Sequence, residues 1–217
     1  MKKFAVILSG CGVFDGAEIH EATLTLLAIA QQGASYEIFA PDIEQFHVIN
    51  HLTHKEMPEK RNVLVESARI ARGKIKPLSR FRAPDFDAII FPGGFGAAKN
   101  LSTVAFDGPN AKVNPEVEAA VRTMHKTGKP IGALCIAPAV IARILGNIEV
   151  TIGNDPGTAA AIEKMGGKHI TAIHGAVVVD KKNKVFTTPC YMLDATIVQI
   201  YEGATNVVRE ILKSFEV

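Results

Sequence analysis

The run Ile131-Gly132-Ala133-Leu134-Cys135-Ile136-Ala137-Pro138 decides how the rest of the chain is read. Its first four residues make a short buried strand, and a helix-forming run from Ile136 to Leu145 follows without a loop. Val140, Ile141, Ile144 and Leu145 fall on one packed helix face, and Pro138 lies in the first turn, where its missing N–H is tolerated. A strand that passes directly into a helix turns sharply and presents the corner residue, Cys135, at the carboxyl edge of a sheet. Open α/β sheets bind their ligands at that edge. The free N–H groups and the dipole of the helix start favour a thiolate there. A buried cysteine also serves as a small hydrophobe, so this segment alone leaves both roles open.

Upstream, Phe4 to Leu8 is an unbroken apolar run, as expected of a strand buried on both faces. Ala17 to Gln32 is a helix with Ala22, Leu26 and Ile29 on one stripe, ended by Gly33. Tyr36 to Ala40 is a second strand, and strand–helix–strand opens a parallel sheet. Residues 43–83 are polar and too poor in apolar side chains for a core of their own. They are expected to be an elaboration of the domain, with a short strand near Val48 and a helix from Asn62 to Arg72. Asp87 to Phe91 is another buried strand, followed by Pro92-Gly93-Gly94-Phe95-Gly96, a long loop and a helix from Pro115 to Lys126. Downstream, Val150 to Gly153 reads as a brief strand and Thr158 to Met165 as a short helix. Ala176–Asp180 and Lys184–Thr188 read as a hairpin, and Asp194 to Phe215 as a final amphipathic helix. The expected fold is one α/β domain over residues 1–217: a doubly wound, mostly parallel, flavodoxin-like sheet sandwiched by helices.

Composition narrows the function classes. The chain has 217 residues, 47% hydrophobic and 21% charged, enough for a sizeable core, and 24 basic against 22 acidic residues leave a net charge of +2. That balance points to neither nucleic acid nor a membrane surface as partner. No stretch approaches the roughly 20 apolar residues of a membrane span. Leu8-Ser9-Gly10-Cys11 looks like a lipoprotein cleavage box, but the apolar run before it is shorter than the roughly 7–15 residues of a signal core. Cys11, Cys135 and Cys190 are too widely spaced for a disulfide framework or a metal site. They point to a reducing compartment, read here as the cytoplasm, and Cys190 is read as structural.

Two further segments bear on Cys135. The Gly93-Gly94 loop exposes backbone N–H groups at the same sheet edge, able to hold an oxyanion without side chains, as does the Ile136 N–H at the helix start. Gly16-Ala17-Glu18-Ile19-His20-Glu21 opens the first helix. Here the chain resembles the PfpI-like superfamily, which includes class I amidotransferase-like proteins, intracellular proteases and glyoxalases. The G-x-E-x-x-E pattern stands at Gly16, Glu18 and Glu21, the P-G-G loop at Gly93-Gly94, and the elbow at Ala133 to Pro138. The phrases SGCGVFDGAEIHEA, VINHLT, PGGFGAAKNLS and CIAPA resemble most closely the ElbB branch, isoprenoid-biosynthesis-associated proteins with an amidotransferase-like domain.

The resemblance implies that Glu21 is the carboxyl group beside the Cys135 thiol, with Glu18 the alternative. A thiolate and a carboxylate in contact repel, so the pair is expected to hold a shared proton, with Glu21 as acid/base. Cys11, His20 and Asn100 are candidate pocket residues, and Cys11 is also a candidate disulfide partner of Cys135. The implied activity is that of a glyoxalase needing no glutathione, metal or other cofactor, acting on a small carbonyl substrate such as glyoxal, in a homodimer. A non-enzymatic thiol sensor or interaction protein is the alternative. Many members carry a histidine where Gly153 stands here, and His169 and His174 match no late amidotransferase motif, which weighs against an amidotransferase-like hydrolase.

Overall fold

The computed structural model describes residues 1–216. In chain order the elements are β1 (Lys3–Ile7), α1 (Ile19–Gln31), β2 (Ser35–Ala40), α2 (Val63–Ile70), β3 (Ile75–Pro77), β4 (Ala88–Phe91), α3 (Phe95–Lys99), α4 (Val104–Asp107) and α5 (Pro115–Lys126). There follow β5 (Ile131–Leu134), α6 (Ala137–Leu145), β6 (Glu149–Val150), α7 (Pro156–Lys164), β7 (Lys168–His169), β8 (Val178–Asp180), β9 (Val185–Thr188) and α8 (Ile197–Lys213).

Seven strands form one sheet in the order β3-β2-β1-β4-β5-β9-β8. All neighbours are parallel except the hairpin pair β8–β9. The alternation of β1 shows how the layers arise. Phe4, Val6 and Leu8 enter one apolar cluster with Ala22, Ile29, Ile200, Val207 and Ile211 from α1 and α8. Ala5 and Ile7 enter the opposite cluster with Val117, Met124, Val140 and Ile141 from α5 and α6. Side chains that alternate across a strand therefore bury both faces of the sheet. The chain leaves β1 towards β2 and β3 and then returns to β4 on its other side, so the winding reverses between β1 and β4. That switch point leaves a crevice at the carboxyl ends of these strands.

The helix starts follow local chemistry. Asn62 and Asn114 accept N–H groups of α2 and α5, and Thr196 and Gln199 close a reciprocal capping box on α8.

Several boundaries differ from the sequence expectation. No strand forms near Val48. Residues 43–62 make only isolated bridges, Glu44 to Asn62 and Ile49 to Glu56, because alternating polar residues there have no sheet edge to join. The three-residue β3 adds an edge strand to the main sheet after α2. The expected long loop after Gly94 is largely helical, in α3 and α4. The strand expected at Val150–Gly153 shrinks to β6, which pairs with β7 in a separate ribbon.

Candidate active site

Cys135 sits between β5 and α6 with φ 61°, a left-handed conformation unusual for any residue with a side chain. The Cys135 N–H donates to the Thr188 carbonyl of β9 at 3.0 Å, which pins the corner. The thiol is 7% exposed. Burial first, and the neighbouring Glu21 second, push its proton affinity well up, while the N–H groups of Gly94 and Ile136 that face the sulfur pull it back down.

Glu21, on the first turn of α1, is fully enclosed at 0% exposure. Its Oε2 accepts the Gly93 N–H at 2.9 Å and its Oε1 accepts the Tyr191 N–H at 3.1 Å. Glu21 Oε2 and the Cys135 sulfur both lie against Gly93, which brings the carboxyl group beside the thiol. Burial, followed by the charge of Glu18, raises the Glu21 pKa to about 8, against the pull of Tyr191, Cys135 and Gly93. Glu21 is therefore a carboxylic acid at neutral pH, buried beside the Cys135 thiol.

The two glycines divide the labour. Gly93 is expected to donate to an oxyanion, but its N–H is already committed to Glu21, so this expectation is corrected. The free donors at the sulfur are Gly94 and Ile136. Gly93 is needed for space: a Cβ there would lie 2.4 Å from Cys135 Cβ and 2.6 Å from Glu21 Oε2. Gly94, at φ 92°, lets the loop pass so close to α1 that a Cβ would lie 2.3 Å from the Glu18 nitrogen.

Glu18, the alternative to Glu21, is engaged at the start of the helix. It is the N-cap of α1, and its carboxylate accepts the Glu21 N–H at 2.7 Å while its own N–H donates to the Gly93 carbonyl at 3.0 Å. Asn100 is a clamp rather than a pocket residue. Its Nδ2 donates to the Ser9 and Asp15 carbonyls, both at 2.9 Å, and its Oδ1 accepts the Phe46 N–H at 2.9 Å. Cys11 and Cys135 form no disulfide. The Cys11 thiol is pushed up by burial and by Glu66 and Asp15, with Arg69 and Arg61 opposing, and all three cysteines are free. His20 is exposed and its Nδ1 lies 2.8 Å from the Tyr191 hydroxyl. Cys190 is buried, with burial, Glu21 and Cys135 all raising its thiol, so it lies within electrostatic reach of the pair. Tyr191 is a site residue that the sequence reading does not single out. The only signal was its position just beyond a strand, β9, that ends at the same sheet edge.

No protein-family model matches the chain. It is 49% identical over 221 residues to the glutamine amidotransferase-like class 1 domain-containing protein 3, mitochondrial, of Homo sapiens, covering 97% of this chain and 82% of that protein. The chain belongs to this amidotransferase-like family. The ES1 protein, mitochondrial, of Danio rerio is a further member, 38% identical over 96% of this chain and 84% of its own. A crystal structure of an isoprenoid biosynthesis protein with an amidotransferase-like domain from Ehrlichia chaffeensis is 38% identical, with a TM-score of 0.94 over 99% of this chain and 100% of that one. That likeness bears out the resemblance to the ElbB branch. Likeness in fold alone extends to glyoxalase III from Candida albicans, 14% identical with a TM-score of 0.63 over 98% and 97% of the two chains.

The family overturns one expectation. Its curated members are named mitochondrial, which conflicts with a cytoplasmic placement. Three unpaired cysteines fit any reducing compartment and do not distinguish one from another.

Gly153, the position that the resemblance sets against a histidine, is closely packed. Gly153 has φ 91°, and a Cβ there would lie 2.9 Å from the Leu193 side chain and 3.1 Å from that of Pro189. His169 lies in the β6–β7 ribbon, where its Nε2 accepts the Ile152 N–H at 3.4 Å. Among the described residues no group of three or more His, Cys, Asp or Glu is placed to hold a metal ion, and no helix is long and apolar enough to cross a membrane.

Proposed function

We propose that this protein is a glyoxalase-type enzyme that converts a small α-oxoaldehyde such as glyoxal to its 2-hydroxy acid through Cys135, in a homodimer and without metal or other cofactor. The observation that carries this reading is the Glu21 carboxylic acid, enclosed against the Cys135 sulfur and held from both sides by backbone donors. A protonated carboxyl group can give a proton to a carbonyl oxygen under attack and then serve as the base that takes a carbon-bound hydrogen.

The Cys135 thiol releases its proton to water as its sulfur forms a C–S bond to one aldehyde carbon, while Glu21 protonates the oxygen, giving a hemithioacetal and leaving Glu21 as the carboxylate. The developing oxyanion lies within reach of the Gly94 and Ile136 N–H groups. The Glu21 carboxylate then takes the hydrogen on that carbon as a proton and delivers it to the neighbouring carbon, while the hydroxyl proton of the hemithioacetal passes to the neighbouring carbonyl oxygen, leaving a thioester of the 2-hydroxy acid. Water adds to the thioester carbonyl, the C–S bond breaks, and the sulfur leaves with a proton. The small exposure of Cys135 favours a compact carbonyl over a protein-sized substrate.

The test is direct. Purified protein incubated with glyoxal is expected to yield glycolate. Glu21→Gln keeps a hydrogen-bond donor but loses the base, and is expected to lower turnover by about 100-fold or more. Turnover that survives Cys135→Ser overturns the assignment.

A further inference from the structure

The first turn of α1 carries two adjacent chemistry-bearing side chains on different sides of the helix. Glu21 points inward and is enclosed, whereas His20 is exposed. Both reach the same residue. The Tyr191 N–H donates to Glu21 Oε1 at 3.1 Å, and the Tyr191 hydroxyl lies 2.8 Å from His20 Nδ1, with ring centroids 6.0 Å apart. Tyr191 thus touches the buried carboxyl group with its backbone and the surface imidazole with its side chain.

The two anchors of Glu21 are not equally secure. Gly93 follows β4, a central strand paired on both sides. Tyr191 stands in a single 3-10 turn, Cys190–Met192, with no side-chain cap. That turn opens on Cys190 at φ 43°, a left-handed conformation that strains a residue with a Cβ. A short strained turn needs a contact from outside itself to keep its amide aimed at Oε1.

We propose that the His20–Tyr191 hydrogen bond is a latch that holds the Tyr191 amide on Glu21, making Tyr191 a positioning residue for the Cys135–Glu21 pair. This rests on the reading of that pair as the reacting groups. The ionisable groups facing Tyr191 and Glu21 are Glu18 at the start of α1, Cys135 at the elbow, Cys190 in the turn and His20 itself. Releasing the latch withdraws one donor from the carboxylate, so Glu21 keeps its proton to higher pH, and the Cys135 thiolate, no longer repelled by a neighbouring charge, forms at lower pH.

The experiment follows alkylation of Cys135 by iodoacetamide against pH, read by peptide mass spectrometry on the intact, folded chain. His20→Ala and Tyr191→Phe are expected to move the midpoint down by the same amount, about half a pH unit or more. The double variant should move it no further, because both changes break one contact. His20→Asn, whose side-chain amide can bond the hydroxyl but cannot titrate, is expected to restore the wild-type profile. Glyoxal turnover in the first two variants should fall between about 10- and 100-fold with KM unchanged. Unaltered alkylation profiles in His20→Ala and Tyr191→Phe would overturn the latch. So would a His20→Asn profile displaced as far as that of His20→Ala, which would mean that the imidazole acts by its charge. Alkylation needs no turnover, so wild-type protein that forms no glycolate would sink the glyoxalase reading and leave this test standing.

Discussion

A carboxyl group enclosed as fully as Glu21 couples stability to pH. Its pKa is about 8 in the folded chain, above the ordinary glutamate value it regains on unfolding. The stabilisation linked to a raised pKa is complete below the unfolded value and is lost as pH rises through the folded one. Between about pH 4.5 and 8 the wild-type protein is therefore expected to lose stability on the order of 4 kcal/mol through this group alone. Glu21→Gln removes the titration. Urea midpoints at pH 5 and pH 8 should show the variant gaining on the wild type as pH rises, and parallel curves would contradict the enclosed, protonated carboxyl. The choice of Glu21 over Glu18 could not be made from the residues alone, because positions three apart lie on nearly the same side of a helix. The structure separates them by giving Glu18 to the helix end, where a carboxylate satisfies an amide that has no partner in the helix.

At the level of elements, the site depends on how closely three loops approach one another. The Gly96 N–H donates to the Gly16 carbonyl at 2.8 Å, and the Phe95 N–H to the Val13 carbonyl at 2.8 Å, so the loop after β4 and the loop after β1 share backbone bonds. Asn100 ties residues 43–62 to the same junction. Asn100→Ala leaves two buried carbonyls and one N–H without this partner and is expected to destabilise the fold by about 2–4 kcal/mol in thermal or urea unfolding. Gly93→Ala should cost stability and also abolish Cys135 alkylation at neutral pH, because the added methyl occupies the space between the sulfur and Glu21. An ordinary alkylation rate in that variant would disprove the close approach. The elbow and the P-G-G loop were legible because each is a short apolar run ended by residues with one conformational purpose. Asn100 and Tyr191 were not. Their partners lie 85 and 170 residues away, and no local pattern encodes such pairings.

Across the whole molecule the sheet keeps its reactive groups at the carboxyl edge and its protective ones along the sides. The outer strand β3 is only three residues long, carries Lys76, and ends at Pro77, and all three features discourage pairing with another sheet. Lys76 and Lys3 both bind Glu37, at 2.8 and 2.6 Å, and hold its carboxyl below the ordinary range. Lys76→Val is expected to change stability by less than about 1 kcal/mol and to leave Cys135 alkylation unchanged. It should also increase self-association in light scattering; a variant as free of aggregation as the wild type would show that the charge does not guard this edge. The winding of the sheet was readable from its alternating strands and helices, whereas residues 43–62 were not, because bridges without a strand leave no period in the sequence. The glycine at position 153 also limits what can be grafted onto this scaffold. Its backbone sits at φ 91°, and a Cβ there would meet Leu193 at 2.9 Å and Pro189 at 3.1 Å. Any side chain introduced at that position starts from a strained backbone and needs room made for it, so an imidazole cannot be added by one replacement without a second change at Leu193.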